Sequence, residues 1–213
     1  MVIAIVDYGM GNLRSVFNAL RTVGADPKIV SDPVDLRNAD AIVLPGVGAF
    51  GEGIQCLRRG GFVQALEREV LHGGKPFLGI CLGMQLLAST GLEHGQHTGL
   101  DWIPGVVEKI PIRSADPTLR LPHIGWNTVR FTKQDGLYAG LGDSETFYFV
   151  HSYAFVPHDQ EVVSGVCSYG GEWVASLETG NIYATQFHPE KSHKTGLMVL
   201  RNFLAKIRRA VAA

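Results

Sequence analysis

Two short stretches, far apart in the chain, hold the side chains best suited to chemistry. The first is Gly79-Ile80-Cys81-Leu82-Gly83, a G-x-C-x-G pattern in which a thiol takes the place of the hydroxyl in a nucleophile elbow. The apolar run Pro76 to Ile80 reads as a buried strand, and Leu82, Met84, Leu86 and Leu87 read as the helix that follows. A tight, strained turn between them needs residues without side chains two before and two after the nucleophile. At a helix N-terminus the dipole and the free N–H groups favour a thiolate. Taken alone, Cys81 is more readily a small buried hydrophobe, because free cysteine is among the most buried residue types.

The second stretch is Gln186-Phe187-His188-Pro189-Glu190-Lys191. His188 follows an apolar strand, Ile182 to Phe187, and so projects from its carboxyl end. Pro189 restrains the backbone, and Glu190 is close enough to accept from the imidazole and orient it. A thiol, an imidazole base and an orienting carboxylate make an activated nucleophile. His188 and Glu190 by themselves would pass for a charged surface turn; joined to the elbow, the pattern is hard to obtain by accident.

Acyl chemistry also needs backbone N–H groups aimed at one point. Pro45-Gly46-Val47-Gly48-Ala49-Phe50-Gly51 is the candidate, with Leu82 N–H as a second donor. The segment also matches G-x-G-x-x-G, but its context argues against dinucleotide binding. That fingerprint belongs after the first strand, where Gly9-Met10-Gly11-Asn12-Leu13-Arg14 lacks the third glycine. Glu93, His94 and His97 lie in a glycine-rich loop without a further matched ligand, so a solvated loop is expected rather than a metal site. Lys191, Lys194, Arg201, Lys206, Arg208 and Arg209 read as a solvated helix face.

The elements that must position these groups follow from periodicity. Residues 2–7 form an apolar strand. Asn12 is placed to N-cap a helix through about Val23, ended by Gly24. Residues 28–30 and 41–44 are further strands, the latter broken by Pro45. Phe62, Val63, Leu66 and Val70 mark one face of a helix. The alternation predicts an α/β fold, an open and mainly parallel sheet flanked by helices, with ligands at the carboxyl ends of the strands. From about residue 100, short strands at 106–110, 128–131, 146–150, 161–163 and 172–175 predict an additional antiparallel β layer. A closing helix over 193–210 turns Leu197, Leu200, Leu204 and Ile207 inward. Residues 1–213 read as a single domain.

Composition narrows the class. A chain of 213 residues with 46% hydrophobic content can bury a substantial core. A formal net charge of -1 leaves no electrostatic footprint for nucleic acid. Three cysteines without a C-x-x-C pair indicate neither a disulfide scaffold nor a zinc site. The opening strand lacks the basic region of a signal peptide, and no run is long enough for a membrane span, so a cytoplasmic protein is expected.

Gly79 to Gln85 together with Gln186 to Glu190 resembles the class I (triad-type) glutamine amidotransferases. Asp7-Tyr8-Gly9-Met10-Gly11-Asn12, Pro45 to Gly51, Pro122-His123-Ile124-Gly125-Trp126-Asn127 and Phe149-Val150-His151-Ser152-Tyr153 resemble the branch of that family serving histidine biosynthesis. The resemblance covers essentially the whole chain, with loop differences around 88–92 and 158–160. It implies a flavodoxin-like fold and a γ-glutamyl thioester on Cys81, with His188 and Glu190 as its partners. It further implies an oxyanion site at the N–H groups of Gly48 and Leu82, and glutamine held by Gln85, Glu93, Ser152 and Tyr153. No cofactor or metal is implied. Ammonia would pass to a separate (β/α)8-barrel cyclase subunit in a heterodimer, with Asn12, Trp126, Tyr148 and Lys191 at the docking face. Three other readings remain: an amidotransferase component for anthranilate, guanylate or pyridoxal phosphate synthesis, a cysteine peptidase, and a catalytically silent binding module. Gly125-Trp126-Asn127 argues against the first and a complete triad against the last.

Overall fold

The computed structural model describes residues 1–112 and 119–212, with side chains up to residue 208. Strand β1 (Val2–Val6) leads into α1 (Leu13–Thr22), β2 (Asp26–Val30) and β3 (Ala41–Gly46). Helices α2 (Phe50–Arg59) and α3 (Phe62–Leu66) follow, the latter running into a wider turn over Glu67–His72. Strand β4 (Phe77–Cys81) then meets the single turn α4 (Leu82–Gln85). Two short strands, β5 (Thr90–Gly91) and β6 (His97–Thr98), precede β7 (Gly105–Lys109), β8 (His123–Phe131), β9 (Ser144–His151) and β10 (Tyr153–Pro157). The chain closes with β11 (Val163–Ser168), β12 (Glu172–Thr179), β13 (Ile182–Thr185) and the long α5 (His193–Ala212).

Nine strands form one sheet in the order β2-β1-β3-β4-β13-β12-β11-β8-β9. Its first half, through β13, is parallel, and from β12 onward the pairing is antiparallel. Most of the expected antiparallel strands therefore extend the main sheet. The additional layer is a smaller sheet, β10-β7-β5-β6. Alternation along β1 shows how the main sheet is covered: Ile3 and Ile5 pack with Val16 and Leu20 of α1 and Leu200 and Phe203 of α5. Ala4 and Val6 face the other way, toward Ile54 of α2, Phe62 and Leu66 of α3, and Val107 and Phe155 of the small sheet.

Three local expectations are corrected. Pro45 does not end its strand; β3 continues to Gly46, paired with Cys81. Ile42 N–H donates toward β4, so the odd-numbered residues of β3 face β1, whose ladder stops at Val43. The proline nitrogen consequently replaces no donor that the sheet uses. Asn12 precedes α1 without a side-chain cap. The helix after Cys81 lasts one turn, because Leu87 N–H and Ala88 N–H bond to Met84 and Gln85 and tighten the chain into its next bend. Arg209, expected on the outer face of α5, lies outside the described side chains.

Candidate active site

Cys81 ends β4 at φ 55°, ψ −109°, a left-handed conformation for a residue with a side chain. That strain is held from both sides by contact. A Cβ on Gly79 would come within 2.7 Å of the Gly83 carbonyl oxygen, and one on Gly83 would overlap the Leu44 carbonyl. The two glycines of the G-x-C-x-G pattern are thus demanded by close backbone approach. The resulting turn lifts the thiol off the sheet at the carboxyl edge, 7% exposed.

His188 arrives at the same edge from β13, the neighbour of β4. Its backbone is fastened twice: its N–H donates to Tyr148 O at 2.9 Å, and its carbonyl accepts from Ser192 Oγ at 2.6 Å. Nδ1 faces Glu190 Oε1 at 2.8 Å, with both side chains almost entirely buried. Nε2 bonds to no other side chain among the described residues, and the Cys81 sulfur adjoins it. Burial alone would hold the ring neutral; the adjoining Cys81 sulfur and the Glu190 carboxylate outweigh it and raise His188 to about 10. A ring that readily holds a proton beside a sulfur is suited to take and keep a proton from that thiol.

A cavity of about 240 Å³ opens in front of these groups. Gly48, Leu82, Gln85, Glu93, Ser152 and Tyr153, all expected at the site, line it with Cys81 and His188. Gly48 sits at φ +100°, a conformation that favours glycine. Val47 N–H donates to Met10 O at 3.0 Å and is therefore turned away from the cavity. Gln85 donates through Nε2 to Tyr153 O at 3.1 Å and to Gln186 Oε1 at 2.9 Å. The loop that carries Glu93 is not simply solvated: Glu93 Oε2 accepts from Phe50 N–H at 2.9 Å, and His97 bonds to Glu93 O at 3.1 Å. No group of three or more metal-ligating side chains occurs among the described residues.

Tyr148, Trp126 and Lys191 gather just outside. Lys191 Nζ stands 5.7 Å from the Tyr148 ring, Trp126 meets Tyr148 edge-on at 6.0 Å, and Trp126 stacks on His193 at 4.9 Å. Trp126 is 48% exposed, unusually open for an aromatic stacked on a partner. Asn12 immediately precedes α1, which packs against the Pro189–Lys191 turn.

Sequence reasoning missed four nearby groups. Val150 and His151 also line the cavity. Gln186 Nε2 lies 3.6 Å from Cys81 Sγ. The buried Tyr8 hydroxyl crowds Gly46 without a hydrogen-bond partner among the described residues, its phenol pushed up by burial and by Cys81. His151 and Gln186 sit inside motifs already singled out, His151 just past an expected strand and Gln186 within one, and neither spacing marks them as facing the site.

Comparison with known proteins adds a family. Residues 4–207 match the family model described as glutamine amidotransferase class-I. The imidazole glycerol phosphate synthase subunit HisH of Moorella thermoacetica is 48% identical over 208 residues, covering 98% of this chain and 96% of that protein. Its namesake from Methanothermobacter thermautotrophicus is 50% identical over 207 residues, covering 97% of this chain and all of the relative. Among solved structures, a glutamine amidotransferase superposes with a TM-score of 0.75 at 20% identity, covering 98% of this chain and 100% of the other. That likeness supports the fold alone.

Proposed function

The chain belongs to the class I glutamine amidotransferases, and we propose that it releases ammonia from L-glutamine for a cyclase subunit of imidazole glycerol phosphate synthase. The observation that carries the reading is the strained Cys81 turn facing a raised, carboxylate-bound His188 across a cavity of about 240 Å³. A cavity of that size suits one amino acid and not an extended peptide, which disfavours the peptidase reading. Identities near 50% along nearly the whole length favour histidine biosynthesis over the other amidotransferase pathways.

In this reading Cys81 Sγ attacks the glutamine carboxamide carbon, and the tetrahedral oxyanion is held by the N–H groups of Gly48 and Leu82. His188 Nε2 takes the thiol proton and hands it to the departing amine, so ammonia leaves and a γ-glutamyl thioester remains. Water, activated by the same nitrogen, hydrolyses the thioester to glutamate. Glu190 orients the ring and favours its charged form. Gln85, Glu93, Ser152 and Tyr153 hold the glutamine head. Ammonia passes to a (β/α)8-barrel cyclase, which uses it to make imidazole glycerol phosphate and an aminoimidazole carboxamide ribotide. That partner docks as a heterodimer against Asn12, Trp126, Tyr148 and Lys191. Residues 1–213 act as one domain, in the cytoplasm, without cofactor or metal.

The test is glutamate release from free glutamine by the chain alone, with the cyclase, and with the cyclase and its ligand. Turnover that is low alone and rises about a thousandfold with partner and ligand is expected, a shift of about 4 kcal/mol in a two-state oxyanion loop. Equal rates in all three states would refute the coupling, and casein cleavage without glutamine turnover would refute the reaction.

A further inference from the structure

We propose that His123 and His151 form a positioning pair for the glutamine pocket, which works through one fixed direction of hydrogen bonding and requires both rings to be neutral. The inference rests on the glutaminase reading for the identity of the substrate, and on the structure for everything else.

The pair belongs to neighbouring strands, His123 at the start of β8 opposite His151 at the end of β9. His123 Nδ1 and His151 Nε2 are 3.0 Å apart, and both side chains are buried. Two imidazole nitrogens at that distance bond only if one carries hydrogen and the other a lone pair. Both ends of the network decide which. At the inner end, His151 Nδ1 lies 2.9 Å from Tyr153 O, which can only accept, so Nδ1 carries the hydrogen and Nε2 of a neutral ring accepts. At the outer end, Asn127 Oδ1 accepts from Thr128 N–H at 2.8 Å and Asn127 Nδ2 donates to Ser168 O at 2.8 Å. Those contacts pin the amide, and its Nδ2 faces His123 Nε2 at 3.3 Å. Nε2 of His123 must therefore accept, and Nδ1 must donate. The two ends give the same answer independently.

What the pair holds is the wall of the pocket. Tyr153 O accepts from both His151 and Gln85, while His151, Ser152 and Tyr153 all line the cavity. From Gln85 the network continues through Gln186 to the sulfur of Cys81. A proton added to either imidazole would set two N–H groups against each other, or one against the Asn127 amide, and the repulsion would push the His151 ring off the position from which it holds Tyr153 O. A residue with this role affects how well glutamine is held more than how fast its carboxamide is attacked.

Two measurements test the proposal on the full chain in complex with the cyclase. Imidazole ¹⁵N spectra of the wild type should show both rings neutral with hydrogen on Nδ1; hydrogen on Nε2 of either ring would overturn the assignment without any variant. His123→Phe preserves ring packing against Phe149 and Tyr169, at 4.9 and 3.9 Å, but deletes the donor. It should raise KM for L-glutamine about tenfold, as expected for one orphaned buried acceptor, while kcat moves much less. His123→Asn, whose amide nitrogen can stand in for Nδ1, should restore most of that loss. An unchanged KM in His123→Phe, a fall in kcat alone, or no rescue by asparagine would sink the pair as a positioning device. Absence of glutamine turnover in the wild-type complex would instead sink the glutaminase reading and leave the spectroscopic result standing.

Discussion

His188 and the His123–His151 pair sit at the same end of the same sheet, all buried, and their protonation is driven in opposite directions. Burial holds His123 down to about 4. It does the same for His151, where the Tyr153 carbonyl opposes it and the other two histidines reinforce it. His188 is raised to about 10 because a carboxylate and a sulfur overcome the same burial. The residue type is constant and the depth is similar, so the neighbours decide. The imidazole that is raised has a carboxylate beside it, and the two that are lowered have a carbonyl and each other.

The sharpest way to break this contrast is to remove the sulfur beside His188. Cys81→Ala should abolish glutamine-dependent synthesis and leave the cyclase active with added ammonium, measured by steady-state rates with each nitrogen source. Retained glutamine turnover would show that the raised histidine serves something else. His188→Ala should cost on the order of the 10²–10⁴-fold typical of a general acid–base group.

Glu190→Gln converts the environment of His188 toward that of His151. The amide oxygen can still accept from Nδ1–H, while the lost carboxylate lets burial push the ring pKa down. Activity should fall less than in His188→Ala, and the alkaline limb of kcat/KM should move to lower pH. An equal loss in both variants, with circular dichroism unchanged, would contradict the ranking.

The smallest effect is on stability. His123 and His151 remain neutral in the fold until about pH 4, whereas in the unfolded chain they bind protons from about 6.5. Between those values the unfolded state holds more protons, so stability falls as pH falls through the window and levels off below it. His123→Phe removes one of the two groups, so its Tm should fall less steeply from pH 6.5 to 4 than that of the wild type. Identical slopes would mean that the pair does not titrate as its burial demands.

The sequence by itself determined that a thiol would sit in a glycine-flanked turn and an imidazole beside a carboxylate, the three groups of the proposed triad, because each arrangement depends on neighbours a few residues away. The elbow is forced by Gly79 and Gly83, and His188 reaches Glu190 across one proline. It also determined the parallel half of the sheet, since apolar runs alternating with amphipathic helices have few other ways to bury themselves. The antiparallel half was only partly legible. Strand β11 begins where residues 161–163 were expected to end, and its wholly buried Ser164 shares a hydrogen bond with Ser176 Oγ, which itself accepts from the Tyr138 hydroxyl. Only the tertiary structure decided which side of the sheet His151 would serve, that Gln186 would reach the Cys81 sulfur, and that His123 would meet a second imidazole. These are matters of strand register, and a shift of one residue would turn each side chain to the opposite face. Local spacing writes a reactive group into the chain; pairing across strands decides what surrounds it.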